Sequence, residues 1–193
     1  DQTRERVYLE KAKLGLNALW EDLAEDRLVS TLPWLARAEF DLARLDEPSP
    51  HLPRLCEALA KLWGRQVPPP AMTARADIPP DTVGGLDLSD ELIGEPTWRT
   101  APPLAALVEA VRVEGCVALE DQPQWLVNGS LAARFLKQLA MQTPSTFYVR
   151  DPRTARHAVR LALWGNRQST AATAMALLAT AELNHTVTSL ALR

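Results

Sequence analysis

The stretch LPRLCEALAKLWG, residues 52–64, carries the periodicity that decides the fold. Leu52, Leu55, Cys56, Leu59, Leu62 and Trp63 recur at intervals of three and four, which lays them on one stripe of an α-helix for three turns. Pro48 and Pro50 break the chain before this helix, and Gly64 stops it.

The same period appears upstream. Leu16, Leu19, Trp20 and Leu23 follow i, i+3, i+4, i+7, with Glu21, Asp22, Glu25 and Asp26 mostly off the stripe, so the spacing predicts an amphipathic helix over about 7–25. Ser30 fits an N-cap for the next helix, with Pro33 in its first turn and Leu35, Ala38 and Leu42 carrying it to about Leu45. Short connections predict that these three helices pack as antiparallel neighbours.

Downstream, eight prolines between Arg65 and Pro103 forbid a long helix. Within that segment Leu86, Leu88, Leu92 and Ile93 alternate with carboxylates, and apolar content of this kind points to a loop draped over a surface in preference to a free linker. Helical spacing resumes with Leu104, Leu107, Val108 and Val111 and ends at Gly115. Leu131, Phe135 and Leu139 define the next helix, which starts either near Pro123 or only at Ser130, because Asn128 and Gly129 can interrupt or cap it. Phe147, Tyr148 and Val149 read as a bridge to a helix capped by Asp151 and opened by Pro152, with Ala155, Ala158, Val159 and Ala162 on its apolar face. After a turn at Gly165 and Asn166, Ser169 caps a last helix to about Leu190, whose stripe reads as Ala174, Met175, Leu178 and Ala181. About seven helices and no convincing sheet give an all-α class of antiparallel helical hairpins. The reading is one helical domain over 1–193, with the proline-rich segment 65–103 inside it.

Composition agrees. The 193 residues are 47% hydrophobic and 23% charged, which excludes disorder as the main state. No apolar run approaches the roughly 18 residues of a membrane span; Ala171 to Leu183 is interrupted by Thr173, Thr180 and Glu182. A net charge of -3 gives no whole-chain attraction to nucleic acid. Cys56 and Cys116 lie far apart among apolar neighbours and read as buried small hydrophobes in preference to a disulfide. The chain opens at Asp1 without a recognisable signal peptide, which favours the cytoplasm and leaves open whether the sequence is an excerpt of something longer.

No glycine-rich phosphate loop, CxxC pair, HExxH or GxSxG is present, and His51, His157 and His185 sit on separate elements, so neither a metal nor a cofactor is expected. Two constellations remain. Arg153, His157 and Arg160 at i, i+4, i+7, with Arg156 beside them, form a basic helix face that would hold an anionic ligand or an acidic partner, or simply face solvent paired with carboxylates. Asp87, Asp90 and Glu91 with Trp98 have the carboxylates and indole of a carbohydrate site, and equally the letters of a helix-capping turn at Ser89. Among six tryptophans, Trp20 and Trp63 fit core stripes, whereas Trp34, Trp98, Trp125 and Trp164 stand at element edges, where they line a groove or close helix hairpins.

The run KAKLGLNALW, residues 11–20, resembles the helix openings of α/α-toroid proteins. The end, FYVRDPRTAR (147–156), LALWGNRQS (161–169) and an alanine-rich helix, resembles the last hairpin of terpenoid-cyclase-like toroids, the group that includes prenyltransferase and squalene-cyclase repeats and relatives of six-hairpin glycosidases. The resemblance implies helical hairpins, closed into a partial toroid or arranged as a stack. The QxxxGxW repeats and the DxDD acid motif are absent, so no catalytic residue carries over. The functional expectation is therefore a non-catalytic interaction or structural module of a larger bacterial protein, binding a protein partner or the remainder of its own chain. The alternative is a toroid enzyme, or its remnant, acting on a polysaccharide or isoprenoid.

Overall fold

A computed structural model describes residues 2–23, 25–45, 47, 49–70, 78–88, 95–142 and 151–192. Among them the fold is all-α: α1 (Gln2–Asp22), α2 (Glu25–Arg44), α3 (Leu52–Trp63), α4 (Ala101–Ala110), α5 (Gln122–Leu139), the short α6 (Pro152–Ala155) and α7 (Thr170–Ala191). A 3₁₀ turn, Trp98–Thr100, leads into α4. Extended pairing among the described residues is limited to isolated bridges.

The architecture is organised around α4. Its sequence reads as one stripe, yet Ala101 and every residue from Pro103 to Ala110 are buried. A helix apolar on all sides belongs in the middle of a protein, and α2, α3, α5 and α7 pack around this one. Its two sides serve two apolar clusters. Ala106, Leu107, Ala110 and Val111 join α1, α2 and α3 in the first, and Ala101, Leu104, Ala105 and Val108 join α5 and α7 in the second. Thr186 of α7 donates a buried hydrogen bond to the Val108 carbonyl at 3.0 Å. Glu109, also buried, accepts from Arg44 at 2.6 Å and Arg37 at 3.3 Å, which ties α2 to α4. Burial works against the Arg44 charge, but Glu109 and Asp41 outweigh it and hold the guanidinium above its usual value.

Several local expectations are corrected by packing. Helix α2 starts at Glu25, so Ser30 is not its cap and Pro33 lies inside it. The proline removes the donor for the Val29 carbonyl, a defect of about 3 kcal/mol in a helix interior. Burial of Leu32, Leu35 and Phe40 offsets it at roughly 1.5–3 kcal/mol per side chain. Ser30 Oγ donates to the Arg27 carbonyl at 2.8 Å instead of capping an end. Helix α5 starts at the earlier of its two candidate positions, and Gly129 lies within it. A Cβ there would sit 3.0 Å from Val108 Cγ1 and 3.3 Å from Leu183 Cδ1, so the glycine is the point of close approach between α5, α4 and α7. On α7 the buried stripe is Ala172, Ala176, Ala179 and Thr186; Ala174, Leu178 and Ala181, expected inside, are exposed.

Cys56 and Cys116, expected as separate buried thiols, form a disulfide with Cα atoms 5.2 Å apart. The pairing spans 60 residues, and only the packing of α3 against α4 brings the turn after α4 beside α3. The described part of the proline-rich segment is pinned down: Thr82 to Leu86 are buried, and Val67, Gly84 and Asp87 donate backbone bonds of 2.9 Å to Gly85, Val67 and Arg65. Gly84 has φ 90°, and a Cβ on it would fall 2.2 Å from the Leu131 carbonyl oxygen.

Candidate functional site, a tryptophan-lined groove

Where the end of α1, the first half of α2, the outer face of α3, the 3₁₀ turn and the start of α7 meet, they leave an open groove of about 1180 Å³. Three tryptophans from separate elements line it: Trp20, Trp34 and Trp98. Trp20 is the fixed floor, 3% exposed. Its Nε1–H donates to Glu39 Oε1 at 2.7 Å, and the other Glu39 oxygen accepts from Ser49 Oγ. The His51 ring stacks on the indole at 5.5 Å and is itself held by Asn17 at 3.1 Å, while the Arg54 guanidinium lies 4.9 Å above the indole centroid. Trp34 is the opposite case. The stripe of α2 turns Leu32, Leu35 and Ala36 inward, which leaves Trp34 on the outer side, 67% exposed. Trp98 is half-buried because its turn is anchored: its amide donates to the Leu161 carbonyl at 3.1 Å, and Thr97 Oγ1 caps the turn by accepting from Arg99 N.

The rest of the lining is apolar at the bottom and cationic at the margin. Leu28, Leu62, Leu88 and Met175 contribute the apolar surface, and Arg54, Lys61, Arg65 and Arg99 the cations. Glu57 is the one carboxylate in the lining among the described residues; it accepts from Lys61 at 2.7 Å, and this bond holds its carboxyl below the usual range.

Of the residues singled out in the sequence, Trp34 and Trp98 line this groove, as does Trp20, which was expected in the core. Asp87 takes part in the backbone clasp with Arg65, and Asp90 and Glu91 lie outside the described residues. The basic helix face does not exist, because α6 ends at Ala155. Asp151 Oδ1 does cap it, accepting from Arg153 N at 3.2 Å. Past Ala155, however, His157 adopts φ 68°, and the backbone of His157 to Leu161 pairs with Leu139 to Met141 and with Arg167. Arg153, Arg156 and His157 are exposed without forming a common face, and the apolar positions expected at Ala158 and Ala162 are not helical. Arg160 is spent on the fold, its guanidinium donating to the carbonyls of Leu163 and Gln138 at 2.9 Å each. Trp125 is buried edge-on against Trp63, with ring centroids 5.8 Å apart, and Trp164 stands exposed.

Sequence reasoning missed Trp20, Arg54 and Arg65 as groove residues, while Arg99 was noted beside Trp98. The available signal was Trp34, a large aromatic on the outer side of an otherwise well-ordered stripe. Among the described residues no three His, Cys, Asp or Glu side chains gather as a metal site, and no helix is long and apolar enough to cross a membrane. No protein-family model, curated protein or solved structure matches the chain.

Proposed function

We propose that this chain is a non-catalytic helical module that binds a protein partner, with the tryptophan-lined groove as its docking face. The observation that carries the reading is Trp34. A tryptophan left 67% exposed in a groove also lined by a buried Trp20 and an anchored Trp98 has the character of an interface anchor. Among the described residues the groove lining holds one carboxylate, Glu57, which Lys61 already engages. The Cys56–Cys116 disulfide supports an oxidising compartment for the module, in place of the cytoplasm favoured by the sequence.

The test is a selection. A phage library of helical peptides, panned on the protein with the Trp34→Ala variant as counter-selection, should enrich sequences that shield Trp34 from acrylamide quenching. Enriched sequences that bind Trp34→Ala and Trp98→Ala variants as well as the wild type would remove the groove as the docking face.

A further inference from the structure

We infer that the occupant of the groove is an acidic amphipathic helix of a partner protein, one that lays an apolar stripe on the floor and sets carboxylates against the α3 margin. The inference rests on the groove being the docking face and adds the chemistry of what docks there.

Charge is the first argument. The whole chain is acidic, at net -3, yet among the described residues the groove lining carries four cations, Arg54, Lys61, Arg65 and Arg99, against the Glu57 carboxylate. Glu57 engages Lys61, and among the described residues Arg54, Arg65 and Arg99 have no carboxylate partner. A cationic margin on an acidic protein selects against basic partners and steers acidic ones.

Shape is the second. The groove is partly open to solvent, and its volume exceeds the roughly 300–1,000 Å³ of ordinary small-molecule sites. A three-turn helix, about 16 Å long and about 10 Å across, occupies a volume of the same order. The walls are the helices α2, α3 and α7, so an added helix completes the layer by the same side-chain packing that holds the others together.

Spacing is the third. Along α3 the groove meets Arg54, Ala58, Lys61 and then Arg65 just beyond the helix end, at i, i+4, i+7 and i+11. Lys61 is already engaged by Glu57, and the remaining cations of this edge, Arg54 and Arg65, are about three turns apart, about 16.5 Å along the axis. A partner helix running beside α3 meets both when its own carboxylates are also three turns apart, and Ala58 between them lets it approach closely. Arg99, from the 3₁₀ turn, supplies a further cation that does not belong to α3.

Three synthetic 14-residue helices sharing one leucine stripe, with Glu, Gln or Lys at the flanking positions, test the inference by calorimetry and Trp34 quenching. Sodium laurate serves as the non-peptide probe. The Glu peptide should bind about tenfold more tightly than the Gln peptide, with the Lys peptide weakest, and added salt should erase the difference. The Arg65→Glu, Arg99→Glu double variant should reverse the order of the Glu and Lys peptides while melting at the wild-type temperature. If all three peptides bind equally and lose affinity on Trp34→Ala, the acidic partner is overturned and the docking groove stands. If laurate saturates the groove while no peptide binds, a helix is the wrong occupant. If nothing binds, the docking face falls together with its partner.

Discussion

Replacing Cys56 and Cys116 together with alanine opens a loop of 60 residues in the unfolded chain. Closing a loop of that length lowers the entropy of the unfolded ensemble by an amount worth about 4 kcal/mol at 25 °C. The bond also joins α3 to the turn after α4, so its loss frees the first apolar cluster at its margin. For a domain of this size each kcal/mol moves Tm by roughly 2–4 °C, which puts the expected fall at about 8–16 °C. Calorimetric melts of the wild type, the double variant and the wild type in a phosphine reductant separate the contributions. The reduced wild type and the double variant should melt within a few degrees of each other, well below the oxidised protein. Thiol titration of the unreduced protein in guanidinium should find no free sulfhydryl. Two titratable thiols, or a double variant that melts within about 2 °C of the oxidised protein, would refute the cross-link and its role.

Other perturbations probe other parts of the fold. A double-mutant cycle of Trp20→Phe and Glu39→Gln, followed by urea unfolding, should return a coupling of about 1–3 kcal/mol for the buried indole–carboxylate bond; additivity would mean the bond contributes nothing. Gly84→Ala must place a Cβ at φ 90° against the Leu131 carbonyl, so it should destabilise the protein by about 2–4 kcal/mol, read as a lowered urea midpoint, whereas Gly115→Ala, with open space around it, should cost less. Lys13 and Lys61 hold Glu47 and Glu57 below the ordinary carboxyl value of 4.5 in the folded protein. Their contribution is therefore present above that value and lost as pH falls through the lowered ones, so Glu47→Gln with Glu57→Gln should flatten the acid side of a Tm–pH profile and leave its slope near neutrality unchanged.

The sequence was most legible where a local signal and the tertiary structure agree. The stripe of α3 is buried at Leu55, Cys56, Leu59 and Leu62, and Ser169 caps α7 as its position implies, accepting from Ala172 N. Asp151 and Pro152 start α6 correctly, but where it stops is decided by Leu139 to Met141, which offer the following backbone a better set of hydrogen bonds than a further helical turn. The arginine face was read from that missing turn and disappears with it. Helix α7 defeated the choice of face for another reason: it is apolar on both sides, so the stripe that small residues suggest and the stripe that α4 accepts differ by a fraction of a turn. The groove was illegible because six separate segments build it, and a pattern within one segment carries no information about which others it will meet. Trp34 and Trp98 were visible as tryptophans at edges; that they line one groove is a property of the packing.

The double service of α4 has a consequence for how the protein is made. During synthesis α1, α2 and α3 precede α4, so one side of that helix finds its cover as soon as it emerges. The other side waits for α5 and α7, whose last residue follows Ala110 by roughly 80 positions. At the usual pace of translation that is about 4–16 s during which Leu104, Ala105 and Val108 have no lasting neighbours. A nascent chain of this sequence, arrested before Thr170, should therefore attract chaperones that the finished protein no longer needs.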